Sequence, residues 1–253
     1  MKTIIFCGGK GSRMKEETEF KPKPMVEIGG KPILWHIMKI YSHHGYRDFI
    51  LPVGYKGSMI KEYFLNHRAL SGDFTFHTAS NALEFHGPGD DFRITFADTG
   101  QEALTGERLL KVAHLIDGDE FMVTYGDGVS DIDIGKLVAF HRSQGTMATV
   151  TAVHPTSKYG VMKHDPDTHH ATHFKQKGIM EDTSINGGFM VFNRAVLNHI
   201  TPGALEDVFS PLIQKKQLSL YAHNGFWKGM DTYREMEELN VLWETTKPWA
   251  VWA

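Results

Sequence analysis

The chain has 253 residues, a net charge of −3 with both signs interspersed, and one cysteine, Cys7. This length allows one large domain with a buried core, and a lone cysteine excludes an internal disulfide, which suits a reducing compartment such as the cytoplasm. The charge balance argues against a broad nucleic-acid surface. Because the first residues resemble a strand and no long apolar run follows, we expect neither a signal peptide nor a membrane anchor.

Segments with strand patterns alternate with segments with helix patterns over the first two-thirds of the chain. In chain order, the predicted elements are strand Thr3–Cys7, helix Pro32–His44, strand Asp48–Val53, helix Ser58–His67, strand Phe92–Ala97, a helix near Glu107–Leu115, strand Glu120–Thr124, helix Asp133–Gln144 and strand Met147–Val153. This alternation predicts an α/β fold with a mostly parallel sheet flanked by helices.

The pattern changes after residue 153 and becomes richer in strands. Short alternating stretches in Tyr159–Lys175 are broken by an Asp-Pro-Asp sequence at residues 165–167, and an apolar strand is predicted at Ile185–Asn193. A final helix is predicted at Asp231–Glu244. We expect this part to form a strand-rich second lobe that shares a sheet with the first part.

A glycine-rich turn directly follows the first predicted strand, at residues 8–13 (Gly-Gly-Lys-Gly-Ser-Arg). Glycines let backbone N–H groups approach a phosphate closely, so phosphate binding is favoured over an ordinary tight turn. The dinucleotide fingerprint requires glycine at position 14, where this chain has Met14, and the P-loop pattern is also absent. A nicotinamide dehydrogenase and a P-loop kinase are therefore disfavoured.

Two lysines alternate with prolines at residues 21–24 (Lys-Pro-Lys-Pro). Proline restricts the residue before it to extended backbone, so Lys21 and Lys23 are predicted to be extended and to point the same way. Such a tetrapeptide is more often a solvated loop. Its position just after the glycine loop nevertheless favours a phosphate contact.

Aspartates at two places are candidates for binding a metal ion. Asp127 follows the predicted strand Glu120–Thr124, and ligands of open α/β sheets bind beyond the carboxyl ends of the strands. A carboxylate there is suited to hold Mg²⁺ on a phosphate. Asp131 and Asp133 are predicted instead to cap the next helix. Asp231 has two interpretations, as the cap of the last helix or as a second metal ligand.

No residue is an obvious nucleophile for covalent catalysis. A Gly-x-Ser-x-Gly sequence is absent, and Cys7 lies in a predicted buried strand. Phosphoryl and nucleotidyl transfer depend on positioning and charge stabilisation instead. Four histidines lie between residues 164 and 173, but no cysteine or spaced set of carboxylates completes a zinc site, and a polar loop and strand are favoured there. His36 is predicted to lie on a surface helix.

These motifs resemble those of the sugar-nucleotide pyrophosphorylases, most closely the glucose-1-phosphate cytidylyltransferases, over nearly the full length. Residues 8–13 match the family's Gly-Gly-x-Gly-Thr-Arg, and residues 21–38 are nearly identical to a family segment. Further matches lie at residues 54–57, 98–100, 105–108, 125–128, 185–189 and 225–231.

The resemblance implies a nucleotide-diphospho-sugar transferase fold, with a Rossmann-like sheet, in one nucleotidyltransferase domain over residues 1–253. The nucleotide-binding core would span about residues 1–153, and the acceptor-binding lobe with the C-terminal helix about 154–253. The resemblance also implies Mg²⁺ as cofactor, CTP and a small phosphorylated acceptor as substrates, and a homo-oligomer without nucleic-acid or membrane partners.

Roles for individual residues are implied by the same resemblance. The implied catalytic residues are Arg13, Lys23, Asp127, Lys177 and Asp231, of which Asp127 and Asp231 would hold the Mg²⁺. The implied nucleotide-binding residues are Gly8, Gly9, Gly11, Ser12, Arg13, Lys23, Ser80, Arg108 and Gly126. The implied acceptor-binding residues are Tyr159, Gly160, Gln176, Lys177, Asn186 and Gly187.

The chain departs from the family pattern at three places. Ser12 replaces a threonine, Ser80 replaces the glutamate of an Ala-Glu-Asn sequence, and residues 176–178 are Gln-Lys-Gly where the family has Glu-Lys-Pro. The expected function is cytidylyl transfer to a sugar 1-phosphate, glucose 1-phosphate or a related acceptor. The alternatives are the same chemistry with another acceptor or another nucleoside triphosphate, and a catalytically silent nucleotide-binding regulator.

Overall fold

A seven-stranded sheet runs through the middle of the computed structural model, which describes residues 1–9, 11, 14–155, 160–176 and 183–253. In chain order, the strands are β1 (Thr3–Phe6), β2 (Glu27–Ile28), β3 (Lys31–Pro32), β4 (Asp48–Val53), β5 (Phe74–His77), β6 (Ala82–Phe85), β7 (Arg93–Asp98), β8 (Glu120–Tyr125), β9 (Gly128–Ser130), β10 (Ala148–Val153), β11 (Gly160–His164), β12 (Ala171–Gln176), β13 (Ile185–Asn193), β14 (Leu218–His223) and β15 (Trp227–Gly229).

The central sheet has the strand order β14-β10-β13-β8-β1-β4-β7. Neighbouring strands are parallel except at β13, which is antiparallel to both β8 and β10. The remaining strands form four antiparallel pairs, β2–β3, β5–β6, β9–β15 and β11–β12. Strands from before and after residue 153 thus belong to one sheet, as the sequence predicts.

Helices cover both faces of this sheet. They are α1 (Lys15–Thr18), α2 (Ile33–His43), α3 (Gly57–Ser71), α4 (Thr105–Val112), α5 (Ile134–Gln144), α6 (Phe209–Gln214) and α7 (Tyr233–Thr245), with 3₁₀ turns at Lys23–Met25, Ala113–Leu115, Arg194–His199 and Leu205–Val208. Within the described ranges, none of these helices has both the length and the apolar character needed to cross a bilayer.

The core forms two layers because successive residues of a buried strand point to opposite faces. Ile5 and Leu51 pack in a cluster that includes residues of α2, α5 and α7. Ile4 and Ile50 pack in a second cluster, which includes residues of α4 and α6. The α/β fold with a mostly parallel sheet between helices is therefore confirmed.

Most predicted elements are present with small shifts at their ends. The strands at Asp48–Val53 and Ile185–Asn193 have the predicted bounds, whereas the last helix begins at Tyr233, two residues later than predicted. The β5–β6 hairpin and β14 were not predicted. Asp133 caps α5 as expected, with its side chain accepting a hydrogen bond from the Lys136 N–H at 2.9 Å. The same prediction for Asp131 is wrong, because Asp131 lies two residues before this cap.

Candidate active site

A cleft of about 640 Å³ opens at the carboxyl edge of the parallel strands, where ligands of open α/β sheets bind. The segments that follow β1 and β8 enter it directly. β13 runs in the opposite direction, so the start of this strand, and not its end, reaches the same edge. The structure brings ten of the predicted site residues into the lining of this cleft: Gly8, Gly9, Gly11, Lys23, Arg108, Gly126, Asp127, Asn186, Gly187 and Asp231.

Two carboxylates converge on one ammonium group in this cleft. The Nζ atom of Lys23 lies 2.6 Å from Oδ2 of Asp127 and 2.7 Å from Oδ1 of Asp231. The lysine side chain is only 12% exposed, whereas that of Asp231 is 44% exposed, so the carboxylates remain accessible from the cleft. Burial disfavours the charged form of Lys23, but the attraction of Asp127 and Asp231 outweighs it, and the pKa of Lys23 lies above its usual value.

The pairing of two short strands brings the carboxylates together. β9 begins directly after Asp127, β15 ends two residues before Asp231, and Gly128 pairs with Gly229 in their ladder. The backbone N–H of Met230 also donates to the carbonyl oxygen of Asp127 at 2.8 Å. Residues more than 100 positions apart in the chain are therefore held side by side by backbone hydrogen bonds.

Asp231 is not the cap of the last helix. Thr232 occupies that position, and its side chain accepts a hydrogen bond from the Glu235 N–H at 3.3 Å. The Glu235 carboxylate completes a capping box by accepting from the Thr232 N–H at 2.9 Å. The first turn of α7 is thus capped without Asp231, and the carboxylate of Asp231 instead reaches Lys23.

The prediction that Lys21 and Lys23 are extended and point the same way is wrong. Lys23 begins a 3₁₀ turn, which tolerates Pro24 because the first residues of a helix need no N–H partner within it. Lys21 pairs with Glu17 at 3.7 Å and Glu27 at 3.8 Å, away from the two cleft carboxylates. The turn therefore separates the two lysines and sends only Lys23 into the cleft.

Glycine is required at two positions in the cleft wall because the backbone is approached closely there. A Cβ atom on Gly8 would lie 2.1 Å from Nη1 of Arg108. A Cβ atom on Gly126 would lie 2.8 Å from the carbonyl oxygen of Phe6 and 3.0 Å from Cγ of Pro24. Side chains at these positions would displace the loops that follow β1 and β8.

Arg108 is almost fully buried beneath these loops. Its guanidinium donates, over distances of 2.6 to 3.3 Å, to the Thr99 hydroxyl and the carbonyl oxygens of Gly8, Val53, Gly100 and Gln101. These acceptors lie at the end of β4 and just after β1 and β7, so one side chain ties together the ends of three parallel strands. The sequence did not predict this role, and the predicted phosphate contact of Arg108 stays a prediction.

The start of β13 forms the opposite wall. Oδ1 of Asn186 accepts from the Gly188 N–H at 2.8 Å, and the indole N–H of Trp227 donates to the Gly187 carbonyl at 2.7 Å. Trp227 lines the cleft and fixes this wall through that hydrogen bond. The sequence around Trp227 gives no signal that predicts this role.

Several predicted site residues are not brought into the cleft. Ser80 lies in the exposed turn between β5 and β6 and is absent from the cleft lining. Gly160 and Gln176 pair with each other across the β11–β12 hairpin. The predictions for these residues stay predictions. Ser12, Arg13, Tyr159 and Lys177 lie outside the described residues.

The described part of the cleft lining can supply oxygen ligands but no thiolate or imidazole. Burial holds the pKa of the Cys7 thiol far above its usual range, and the described part of the lining contains no histidine. Among the described residues, no group of three or more histidine, cysteine or acidic side chains could enclose a metal ion. A cation bound by Asp127 and Asp231 would therefore take its other ligands from substrate and water.

Comparison with known proteins identifies the family to which this chain belongs. Residues 2–243 match the family model described as Nucleotidyl transferase. The chain is 45% identical to the glucose-1-phosphate cytidylyltransferase of Salmonella typhi and 38% identical to the probable glucose-1-phosphate cytidylyltransferase of Bacillus subtilis, each over 100% of both chains. Its fold is similar to that of HddC from Yersinia pseudotuberculosis, with a TM-score of 0.69 and 19% identity over 96% of this chain and 99% of HddC.

Proposed function

Because the chain belongs to the nucleotidyl transferase family, we propose that it transfers a cytidylyl group from CTP to a sugar 1-phosphate, giving a CDP-sugar and pyrophosphate. The observation that carries this proposal is the convergence of Asp127 and Asp231 on Lys23 at the carboxyl edge of the sheet. The full-length similarity to the Salmonella typhi cytidylyltransferase supports CTP as the donor.

Mg²⁺ is the cofactor that this donor set suits. It prefers oxygen ligands and is usually held by one or two carboxylates together with substrate phosphates and water, which matches the pair Asp127 and Asp231. When bound, Mg²⁺ neutralises negative charge on the phosphates.

The residues of the cleft fit an in-line transfer. An oxygen of the acceptor phosphate forms a bond to the α-phosphorus of CTP as the bond to the pyrophosphate oxygen breaks. The acceptor is already an anion, so the reaction needs no general base, and the described lining offers no histidine for one. Lys23 supplies a positive charge on a rigid turn beside the two carboxylates, where charge is redistributed during transfer.

The remaining residue roles belong to the same proposal and rest on the resemblance. Gly8, Gly9, Gly11, Ser12, Arg13, Ser80, Arg108 and Gly126 would bind the nucleotide, and Tyr159, Gly160, Gln176, Lys177, Asn186 and Gly187 would bind the acceptor. The proposal includes the division into a core over about residues 1–153 and a lobe over about 154–253. It also includes a cytoplasmic homo-oligomer without nucleic-acid or membrane partners.

The acceptor is glucose 1-phosphate or a related sugar phosphate, and Gln176 is the reason to test both. A carboxylate at this position only accepts hydrogen bonds, whereas glutamine accepts with one oxygen and donates with its amide nitrogen. A mispaired polar group costs about 1–3 kcal/mol, which corresponds to roughly ten- to a hundredfold in selectivity. Residue 178 is glycine where the family has proline, which is a second departure next to the predicted acceptor-binding residue Lys177.

The test is pyrophosphate release from CTP, UTP, ATP and dTTP, each with glucose, galactose, mannose, deoxy-sugar and amino-sugar 1-phosphates. We expect the highest kcat/KM with CTP and a change of acceptor preference in Gln176→Glu. Comparable kcat/KM for CTP and UTP would contradict the cytidylyl assignment. A high kcat/KM with glucose 1-phosphate that Gln176→Glu barely changes would contradict the idea that Gln176 alters acceptor selectivity. If no pair of substrates releases pyrophosphate, the alternative of a catalytically silent nucleotide-binding regulator is favoured.

A further inference from the structure

A second cavity, of about 540 Å³, lies between α2, the C-terminal end of α3 and residues 88–94. It is nearly as large as the candidate active site, and the two share no lining residue. Small-molecule sites typically have volumes of about 300–1,000 Å³. The size of the cavity and its separation from the cleft make it a candidate for a second ligand.

Asp90 is the acidic residue that lines this cavity, and donors from the protein already surround it. Its carboxylate accepts from Nε1 of Trp35 at 2.6 Å and from Nζ of Lys39 at 3.0 Å, and it contacts Nε2 of His67 at 3.0 Å. Burial tends to raise the pKa of Asp90, but the hydrogen bonds from His67, Trp35 and Lys39 outweigh burial and hold it well below its usual value. Asp90 is therefore ionised and compensates the charge of Lys39.

Two further cations line the cavity without an ionic partner. Nζ of Lys31 donates to Oγ of Ser71 at 2.7 Å and lies 5.9 Å from the ring centre of Trp35. The guanidinium of Arg68 lies 4.5 Å from the ring centre of Phe85. Within the described part of the chain, neither cation forms an ion pair, so their positive charge is uncompensated at the cavity wall.

The charged side chains, and not the helix dipoles, determine the sign of the electrostatic potential in this cavity. The N-terminal turn of α2 favours an anion, whereas the C-terminal turn of α3 disfavours one, so the two helix dipoles oppose each other. Lys31 and Arg68 remain as the source of a net positive field. Phe64 and Phe92 add an apolar wall beside these cations.

We propose that this cavity is a second site, which binds the phosphate group of a nucleoside phosphate. Lys31 and Arg68 bind the phosphate oxygens, and Ser71 adds a hydroxyl donor once its contact with Lys31 is exchanged for the ligand. The apolar wall contacts the organic part of the ligand. The site does not depend on the proposed activity, because none of its residues belongs to the cleft.

Equilibrium binding to the full chain tests this proposal, with CDP and inorganic pyrophosphate as separate probes. We expect two sites per chain in the wild type and one in Lys31→Ala/Arg68→Ala, because each lost charge-assisted contact weakens binding about tenfold or more. The control is Lys61→Ala/Lys136→Ala, which removes the same charge from positions that line neither cavity. If only CDP binds at a second site, recognition requires the organic part of the ligand. If CDP and pyrophosphate both bind there, the phosphate groups that they share are sufficient for binding.

Three results would overturn the second site: a single site in the wild type that persists in the double variant, two sites in the double variant, or equal loss in the control. The melting temperature shows whether the double variant is folded. If it is not, Arg68→Gln alone replaces it, since Arg68 is an exposed residue whose change leaves the core intact. Unaltered second-site affinity in Arg68→Gln would also overturn the proposal.

Discussion

Replacing Arg108 with methionine removes the group that ties the ends of three strands together while keeping an unbranched stem of similar length. Three of the five lost hydrogen bonds are buried, those to the carbonyls of Gly8 and Val53 and to the Thr99 hydroxyl. Each of these acceptors keeps another partner: Gly8 keeps the Tyr55 N–H, Val53 keeps the Thr99 N–H, and the Thr99 hydroxyl still donates to Val53. At roughly 1 kcal/mol for each buried bond, we expect Arg108→Met to lower the free energy of unfolding by about 3 kcal/mol.

Arg108→Lys distinguishes the geometry of the guanidinium from its charge. A single ammonium cannot reach Gly8 and Thr99 together in the way a planar fork does, so we expect a smaller loss of about 1–2 kcal/mol. The comparison variant is Lys111→Met on the same helix, which removes the exposed ion pair with Glu107 and the partly buried hydrogen bond to the Thr99 carbonyl, and we expect it to lower stability less than Arg108→Met does.

Urea unfolding at neutral pH measures these free energies, and steady-state kinetics measure the effect on the cleft. Since the loop at Gly8 loses its anchor, we expect kcat/KM for the nucleotide to fall in step with stability. If Arg108→Met unfolds within about 1 kcal/mol of the wild type and only KM for the nucleotide rises, the reasoning is refuted, and Arg108 is a phosphate ligand instead.

Four further substitutions test the cleft and the cap of the helix that follows it. Asp127→Asn and Asp231→Asn should each reduce turnover by about 10²-fold or more without unfolding the protein, and near-normal turnover would remove that residue from the metal site. Lys23→Ala should lower kcat as well as raise KM for the nucleotide, whereas a raised KM with unchanged kcat would indicate ground-state binding only. Thr232→Ala should cost about 1 kcal/mol of stability in thermal unfolding by uncapping α7, and an unchanged melting temperature would show that the Glu235 side chain suffices.

The buried parallel strands were the easiest part of the fold to predict. β4 is an apolar run that follows a charged pair, and β13 contains the apolar run Phe189–Phe192 and ends at a polar residue, so composition indicates both strands. The strand β14 alternates weakly because most of its side chains are partly exposed at the sheet edge, and its sequence gives no comparable signal. The sequence of β14 therefore indicates a strand less clearly than the sequences of β4 and β13 do.

His36 shows where local patterns fail. It was predicted to lie on a surface helix, but it is fully buried among Trp243, Trp249 and Trp252. The Trp249 indole N–H donates to Nδ1, so Nε2 carries the proton and donates to the Ile28 carbonyl at 2.8 Å. Burial lowers the pKa of His36 to about 4, and the ring is neutral. The partners that bury it come from a segment more than 200 residues away, which no local pattern reveals.

The candidate site was predicted through its motifs more than through its geometry. The sequence placed Asp127 at a strand end, but whether Asp231 caps a helix or faces the cleft depended on Thr232 being the better cap. The direction of Lys23 likewise depended on a 3₁₀ turn that the two prolines did not predict. Both outcomes depend on which neighbouring residue caps the helix or begins the turn, and a sequence motif does not show this.

Lys23, Asp127 and Asp231 meet at the centre of the cleft but lie far apart along the chain, and this separation affects folding. The contacts of Lys23 with Asp127 and Asp231 span 104 and 208 residues. Closing the longer of these two loops costs more entropy, so we expect the Asp231 contact to form after the Asp127 contact. A folding intermediate that has its sheet but lacks the docked C-terminal helix would hold the glycine loop and still be inactive. Recovery of activity during refolding should therefore follow the slowest phase, after helical circular dichroism has largely returned.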